Sequence, residues 1–248
     1  MTEASRLELP EDEVHLWHLD PERLDAVALE RCRELSDEDE RRQEQRFRVE
    51  PARRLHLAAR GLVRTRLSLY TGEQPRAWRF APGRWGRPEI AAPGGHAWLR
   101  FNLSHTRGRV VCALARGAEV GVDVEHTGRG GRLLDVADRY FAPLEVEELF
   151  SLPEPARLPR FFDYWTLKEA YIKARGMGLA LPLSRFSFRL GRPGPIRVVF
   201  EPPLEDDAGA WQFERLGWPP HHQAAVAVRR GSGPERRLVV RAVDAILA

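Results

Sequence analysis

The run Phe162-Asp163-Tyr164-Trp165-Thr166-Leu167-Lys168-Glu169-Ala170-Tyr171-Ile172-Lys173, continuing into Ala174-Arg175-Gly176-Met177-Gly178-Leu179, constrains this chain more than any other segment. Pro159 can open a helix and Gly176 can close one, so the spacing predicts a helix over 160–175. At about 3.6 residues per turn, Trp165, Glu169 and Lys173 stack along one face. A large ring, an acid and a base thus share a surface that ends in a glycine-rich turn. Alone, that is an ion pair worth about 0.3–0.5 kcal/mol beside a core tryptophan. Two polar constellations upstream argue for more.

In Val120-Gly121-Val122-Asp123-Val124-Glu125 the valines alternate with Gly121, Asp123 and Glu125, the period of a half-buried strand. Asp123 and Glu125 then point the same way, about 6.5–7 Å apart from a rise of roughly 3.3 Å per residue. Carboxylates that close repel unless a cation lies between them. A hard divalent ion such as Mg²⁺ takes oxygen ligands and keeps room for phosphate and water. The competing reading is a pair of ordinary acids on a solvated edge strand.

Phe101-Asn102-Leu103-Ser104-His105 leads through Thr106-Arg107-Gly108 into the apolar run Val110-Val111-Cys112-Ala113-Leu114. A strand, a turn and a returning strand are the natural reading. Hydroxyl, imidazole and turn amides at a strand end suit an anion, although such residues also commonly satisfy turn amides. A hydrolytic Ser104–His105 pair fits poorly, because neighbouring strand residues point to opposite faces.

Taken in order, Asn-Leu-Ser-His, Gly-Val-Asp-Val-Glu and Trp-Thr-Leu-Lys-Glu-Ala-Tyr-Ile-Lys-Ala-Arg-Gly-Met-Gly-Leu resemble the 4′-phosphopantetheinyl transferases of the large, surfactin-synthetase-activating type. Gly86-Arg87-Pro88 looks like that family's Gly-Lys-Pro, with arginine for lysine. The resemblance runs from about Leu35 to about Arg230. It implies a cytoplasmic, monomeric enzyme of the holo-acyl-carrier-protein synthase type. Such an enzyme moves phosphopantetheine from coenzyme A to a serine of an apo acyl or peptidyl carrier protein, uses Mg²⁺ (with Mn²⁺ as the alternative) and releases 3′,5′-ADP.

With that resemblance, Asp123, Glu125 and Glu169 become the expected metal ligands, and Glu169, Lys173 and Asp123 the catalytic set. Lys173 is expected to neutralise the departing 3′,5′-ADP. Arg87, Ser104 and His105 are expected to hold phosphates, with His105 nearest the 3′-phosphate, and Arg42 and Arg54 are further candidates. The base is either Glu169 or a water positioned by the metal. Metal ligation depresses a carboxylate's pKa and so favours the water.

Charge and composition agree. The formal charge is only +3, yet Arg41, Arg42, Arg46, Arg48, Arg53, Arg54, Arg60, Arg64 and Arg66 crowd one region. A solvated helical face is the usual fate of such a run. It lacks the interleaved aromatics of a nucleic-acid surface, whereas guanidinium forks suit a phosphate-rich ligand or an acidic partner. No stretch approaches the about 20 apolar residues that cross a membrane, and Met1-Thr2-Glu3-Ala4-Ser5 has no secretory character. Cys32 and Cys112 stand alone, which suits a reducing compartment. His221-His222 shows no further ligands nearby.

Two other functions compete. A different Mg²⁺-dependent phosphoryl or nucleotidyl transferase would be favoured by a Walker-type Gly-x-x-x-x-Gly-Lys run, which the chain lacks. A non-catalytic coenzyme A or carrier-binding module is expected to lose an acid or Lys173, and none is lost.

The expected architecture is α+β: two similar halves, 1–118 holding the coenzyme A phosphates and 119–248 the metal site and catalytic helix, related by a pseudo-twofold axis. The first half reads as a strand at 14–19, helices through 37–70, and strands at 77–81, 97–104 and 110–116. The second reads as a strand at 120–125, helices at 132–139, 144–150 and 160–175, and strands at 185–190, 196–200, 210–216 and 223–229. A tail strand at 237–241 is expected to extend the second sheet.

Overall fold

The computed structural model describes residues 6–128, 133–191, 194–244 and 246; residues 1–5, and residue 132 at the start of an expected helix, lie outside them. Strand β1 (Glu13–Leu19) leads into helices α1 (Ala26–Leu35), α2 (Glu38–Arg46) and α3 (Glu50–Thr71), the hairpin β2 (Arg79–Pro82) and β3 (Pro88–Ala92), and strands β4 (Leu99–Thr106) and β5 (Arg109–Arg116). The element order then repeats. Strand β6 (Val120–His126) leads into α4 (Ala137–Tyr140), α5 (Pro143–Ser151) and α6 (Glu154–Arg175), the hairpin β7 (Phe186–Leu190) and β8 (Ile196–Phe200), and strands β9 (Trp211–Trp218) and β10 (His222–Arg229). Sheet order repeats with it, β1-β5-β4 in the first and β6-β10-β9 in the second. The fold is α+β. Among the described residues no helix is long and apolar enough to cross a membrane.

The last strand, β11 (Arg237–Ala242), corrects the sequence reading. It joins the first sheet, pairing in parallel with β1 so that Glu13 faces Arg237. Leu238 packs on the core between the sheets, Arg237 pairs with Glu13, and Arg241 lies over Trp17. These contacts belong to β1 and draw the tail back.

Valines do most of the joining of the two sheets. Val14, Leu16, Val111 and Ala113 meet Val120, Val122, Val124 and Val226 in one buried cluster, each full burial being worth about 1.5–3 kcal/mol. Strand β6 is therefore not half-solvated as its alternation suggests. It is buried from Val120 through Val124, with its valines on the other sheet and its alternate face under α6. Helix α6 also begins earlier than expected. Pro155 sits in its first turn and Pro159 lies inside it; that ring forfeits only the bond to the carbonyl one turn back, so the helix continues. Gly176, at φ +63°, closes it in the left-handed conformation glycine accepts. Lys168 anchors the helix from within, its Nζ 2.7 Å from the buried Glu145 carboxylate and bonded to the carbonyls of Leu183 and Phe186.

Across the first sheet, His18 Nδ1 accepts a hydrogen bond from Arg109 at 3.1 Å. Burial, then the Arg109 charge, push the imidazole down to about 4. An unfolded histidine titrates near about 6.5, so below that pH the unfolded chain binds a proton that native His18 refuses. Stability is expected to fall as pH drops from about 6.5 towards about 4, and His18→Gln should make that fall shallower. Urea unfolding across this window checks it, and an unchanged slope in the variant contradicts it.

Candidate functional site

Strands β4 and β6 meet where the two sheets adjoin, joined by side chains in place of a backbone ladder. Asn102 Oδ1 accepts the Val122 N–H at 2.9 Å, and Ser104 Oγ accepts that of Val124 at 3.4 Å. An edge strand presents unpaired N–H groups, and here two polar side chains of the neighbouring strand meet them. Asn102 had no place among the sequence candidates. Its one signal was the two-residue spacing from Ser104, which puts both on one face of β4.

Ser104 is then held in place for a second task. Its hydroxyl donates to Asp123 Oδ1 at 3.0 Å and accepts from Lys173 Nζ at 2.9 Å, while Nζ stands 2.6 Å from the same carboxylate oxygen. One residue from each of β4, β6 and α6 thus converges on a single point. Gly121 makes the approach possible: a Cβ there would lie 2.1 Å from the Ala170 carbonyl oxygen and 2.4 Å from the Ala174 amide nitrogen. The helix backbone sits directly on the strand, which brings the Trp165–Glu169–Lys173 face over Asp123 and Glu125. Trp165 Nε1 donates to Glu125 Oε1 at 3.2 Å.

Glu169 lies between these groups. Burial, then the charge of Asp123, push its carboxyl above the ordinary range, with Glu125 adding and Lys173 opposing. A cation held among these carboxylates would oppose that shift. Among the described residues no group of three His, Cys, Asp or Glu side chains forms a ready-made metal site; Lys173 holds one oxygen of Asp123 and Trp165 one of Glu125. The other Asp123 oxygen, Oδ2, is buried with no hydrogen-bond partner. Crowded hard anionic oxygens, one of them orphaned, fit a small divalent cation.

His105 opens onto a cavity of about 240 Å³ whose walls include Arg60, Val63, Phe80, Ser104 and Lys173. Crowding by protein, then the positive charges of Lys173, Arg60 and His56, hold its pKa below the usual value. The cavity is cationic, and an anion there would relieve the repulsion.

Six sequence candidates come together here: Ser104, His105, Asp123, Glu125, Glu169 and Lys173. Three do not join them. Arg87 donates to Glu119 at 2.6 Å and to the Ala174 carbonyl at 2.8 Å, at the end of α6. Arg42 is exposed and paired with Asp39. Arg54 bonds Glu50 and the carbonyls of Pro21 and Leu24. Much of the arginine-rich run serves the fold: Arg64 pairs with Asp37 and Glu40, Arg66 stacks on Trp17, and Arg41 and Arg53 bond carbonyls. Arg60 is the arginine of α3 that lines the cavity, and only its helical spacing from His56 could have singled it out. His126 also stands 5.2 Å from His221 and 5.1 Å from His222, ring to ring, so that histidine pair has a neighbour after all.

Comparison with known proteins bears on all of this. A family model described as "4′-phosphopantetheinyl transferase superfamily" matches residues 119–228. The chain is 34% identical over 222 residues to 4′-phosphopantetheinyl transferase HetI of Nostoc sp., covering 90% of each chain. It is 30% identical over 158 residues to 4′-phosphopantetheinyl transferase Sfp of Bacillus subtilis, covering 63% of this chain and 66% of that one. The human L-aminoadipate-semialdehyde dehydrogenase-phosphopantetheinyl transferase is 30% identical over 164 residues, 60% of this chain and 52% of that one. Among solved structures, Thermotoga maritima holo-acyl-carrier-protein synthase aligns with a TM-score of 0.36 at 22% identity, over 48% of this chain and 64% of that one.

Proposed function

Because the chain belongs to the 4′-phosphopantetheinyl transferases, we propose that it moves the phosphopantetheine arm of coenzyme A onto a serine of an apo acyl or peptidyl carrier protein, releasing 3′,5′-ADP in a Mg²⁺-dependent reaction. The observation that supports the reading most is the Ser104–Asp123–Lys173 junction, with an ammonium 2.6 Å from a buried carboxylate that keeps a second oxygen orphaned. Asp123, Glu125 and Glu169 would hold the ion, which would neutralise the diphosphate and leave it open to in-line attack.

The carrier serine's oxygen forms a new bond to the phosphorus that bears pantetheine, and the anhydride P–O bond to 3′,5′-ADP breaks. The serine proton passes to Glu169 or to a water that the metal would position; a cation held by Glu169 would lower that carboxyl's pKa and so favours the water. Lys173 faces the diphosphate and balances the charge that the leaving group gains. Incubation with coenzyme A, Mg²⁺ and a panel of apo carriers, followed by intact mass measurement, tests the reading. A gain of one phosphopantetheine on a carrier is expected, and no gain on any carrier overturns it.

The role of Lys173 has its own test. Lys173→Met keeps the aliphatic stem and the packing of α6 but removes the ammonium. Hydrogen bonds to charged groups are worth about 1.5–3 kcal/mol, so kcat/KM for coenzyme A is expected to fall roughly ten- to a hundredfold. Normal kinetics with a slightly lower Tm would reduce Lys173 to a structural ion pair.

A further inference from the structure

We propose, building on the transferase reading, that Arg60 is the specificity-determining residue that holds the 3′-phosphate of coenzyme A, so that the enzyme prefers coenzyme A to its 3′-dephospho form through this side chain. Coenzyme A carries two anionic centres, the reacting diphosphate and a terminal phosphate monoester on the ribose. The site has two regions to match. Lys173, with the carboxylates of β6 and α6 that would hold a divalent ion, forms the first. Arg60 and His105 form the second, on the wall of the same cavity that the first half supplies.

Arg60 differs from its neighbours in having donors to spare. Its Nη1 stands 3.7 Å from Glu40 Oε1, too far for a hydrogen bond, and its Nε is buried without a partner. Glu40 stays anchored without it: its other oxygen, Oε2, accepts from Arg64 at 2.7 and 3.2 Å and from the Asp37 N–H at 3.0 Å. The Arg60 side chain is only 21% exposed, which limits screening by solvent. Arg42, by contrast, is exposed and paired with Asp39, and Arg54 is bonded to Glu50 and to two carbonyls. Helix phase accounts for the difference. Arg60 lines the cavity, whereas Arg54, earlier on α3, falls about 120° away round the helix.

A planar guanidinium takes two oxygens of a terminal phosphate at once, and a monoester that is largely dianionic near neutral pH gains most from it. The diphosphate lacks such a three-oxygen terminus, so the fork favours the ribose phosphate. Neutral His105 then lies beside the phosphate as a donor, and a bound dianion would draw a proton onto it.

Arg60→Gln and Arg60→Lys test the assignment, with Arg42→Gln as comparator. Because Glu40 keeps Arg64, the Arg60 variants are expected to fold, and Tm checks this. With coenzyme A, Arg60→Gln should raise KM roughly ten- to a hundredfold, the equivalent of losing one charged hydrogen-bonding contact. With 3′-dephospho-coenzyme A its KM should stay within a factor of about three, so the preference collapses. Arg60→Lys, which keeps the charge but not the fork, should recover part of it. Calorimetric binding of 3′,5′-ADP against AMP reads the same contact without any carrier. Wild type should prefer 3′,5′-ADP and Arg60→Gln should not. If Arg60→Gln keeps the wild-type preference, or Arg42→Gln loses it instead, the assignment is overturned. If wild type shows the binding preference that Arg60→Gln lacks, yet modifies no carrier, the Arg60 contact stands and the transferase reading falls.

Discussion

Asp123→Ala is expected to abolish transfer while leaving the protein folded. The side chain holds Lys173 and Ser104 through one oxygen and offers an orphaned second oxygen to a cation. Losing one such charge-stabilising group typically costs about 10²-fold or more in rate. The fold is expected to survive because the substitution removes a like charge from beside Glu169, one of the causes of that carboxyl's raised pKa. Lys173, freed from Asp123, has a side chain 28% exposed and can be hydrated. Turnover is measured at saturating Mg²⁺ beside the melting curve. Activity above about a tenth of wild type would remove Asp123 from the catalytic set.

Gly121→Ala should damage both stability and activity, for a reason no charge argument supplies. The added methyl would stand 2.1 Å from the Ala170 carbonyl oxygen and 2.4 Å from the Ala174 amide nitrogen. Backbone cannot swing aside as a flexible side chain can, so α6 must move off β6. Overpacking in a close-packed core costs about 1–3 kcal/mol, and a displacement near 1 Å of catalytic groups can cost about 10²-fold. Ala170 and Ala174 flank Lys173 and adjoin Glu169, so the shift falls on the groups that meet Asp123. A variant with wild-type Tm and kcat would show that the helix does not set the site's geometry.

The parts of the site that lie on one regular element were legible from period alone. Trp165, Glu169 and Lys173 share a helical face, and Asp123 and Glu125 share a strand face, because those repeats are local and fixed. What depends on packing between distant segments was not legible. Alternation in 120–125 reads as one wet face, since nothing local says that α6 will cover the polar side. Gly121, in sequence only one of the residues alternating with the valines, proves to be the contact point of helix and strand. Asn102 matters only because β6 presents its N–H groups to β4. Among the arginines, charge pointed to the region but not to the residue. Whether a guanidinium is bonded to Glu40, bonded to a carbonyl or only within ion-pair distance is decided by neighbours far along the chain. The tail strand was found in sequence, while its partner was misjudged, because strand pairing is non-local and hydrophobic pattern does not name the edge it will meet.

The parallel pairing of β11 with β1 also sets an order of events during synthesis. The edge of β1 that β11 covers is made well before its cover. Roughly 120 residues separate the end of β5 from β11, which at about 5–20 residues per second leaves that edge open for some 6–24 s. For that interval the nascent first half carries an unpaired, Trp- and Leu-bearing strand, the kind of edge that recruits other chains. A ribosome that stalls before β11 would therefore release an intermediate prone to self-association, whereas a chain that has reached β11 closes the edge itself.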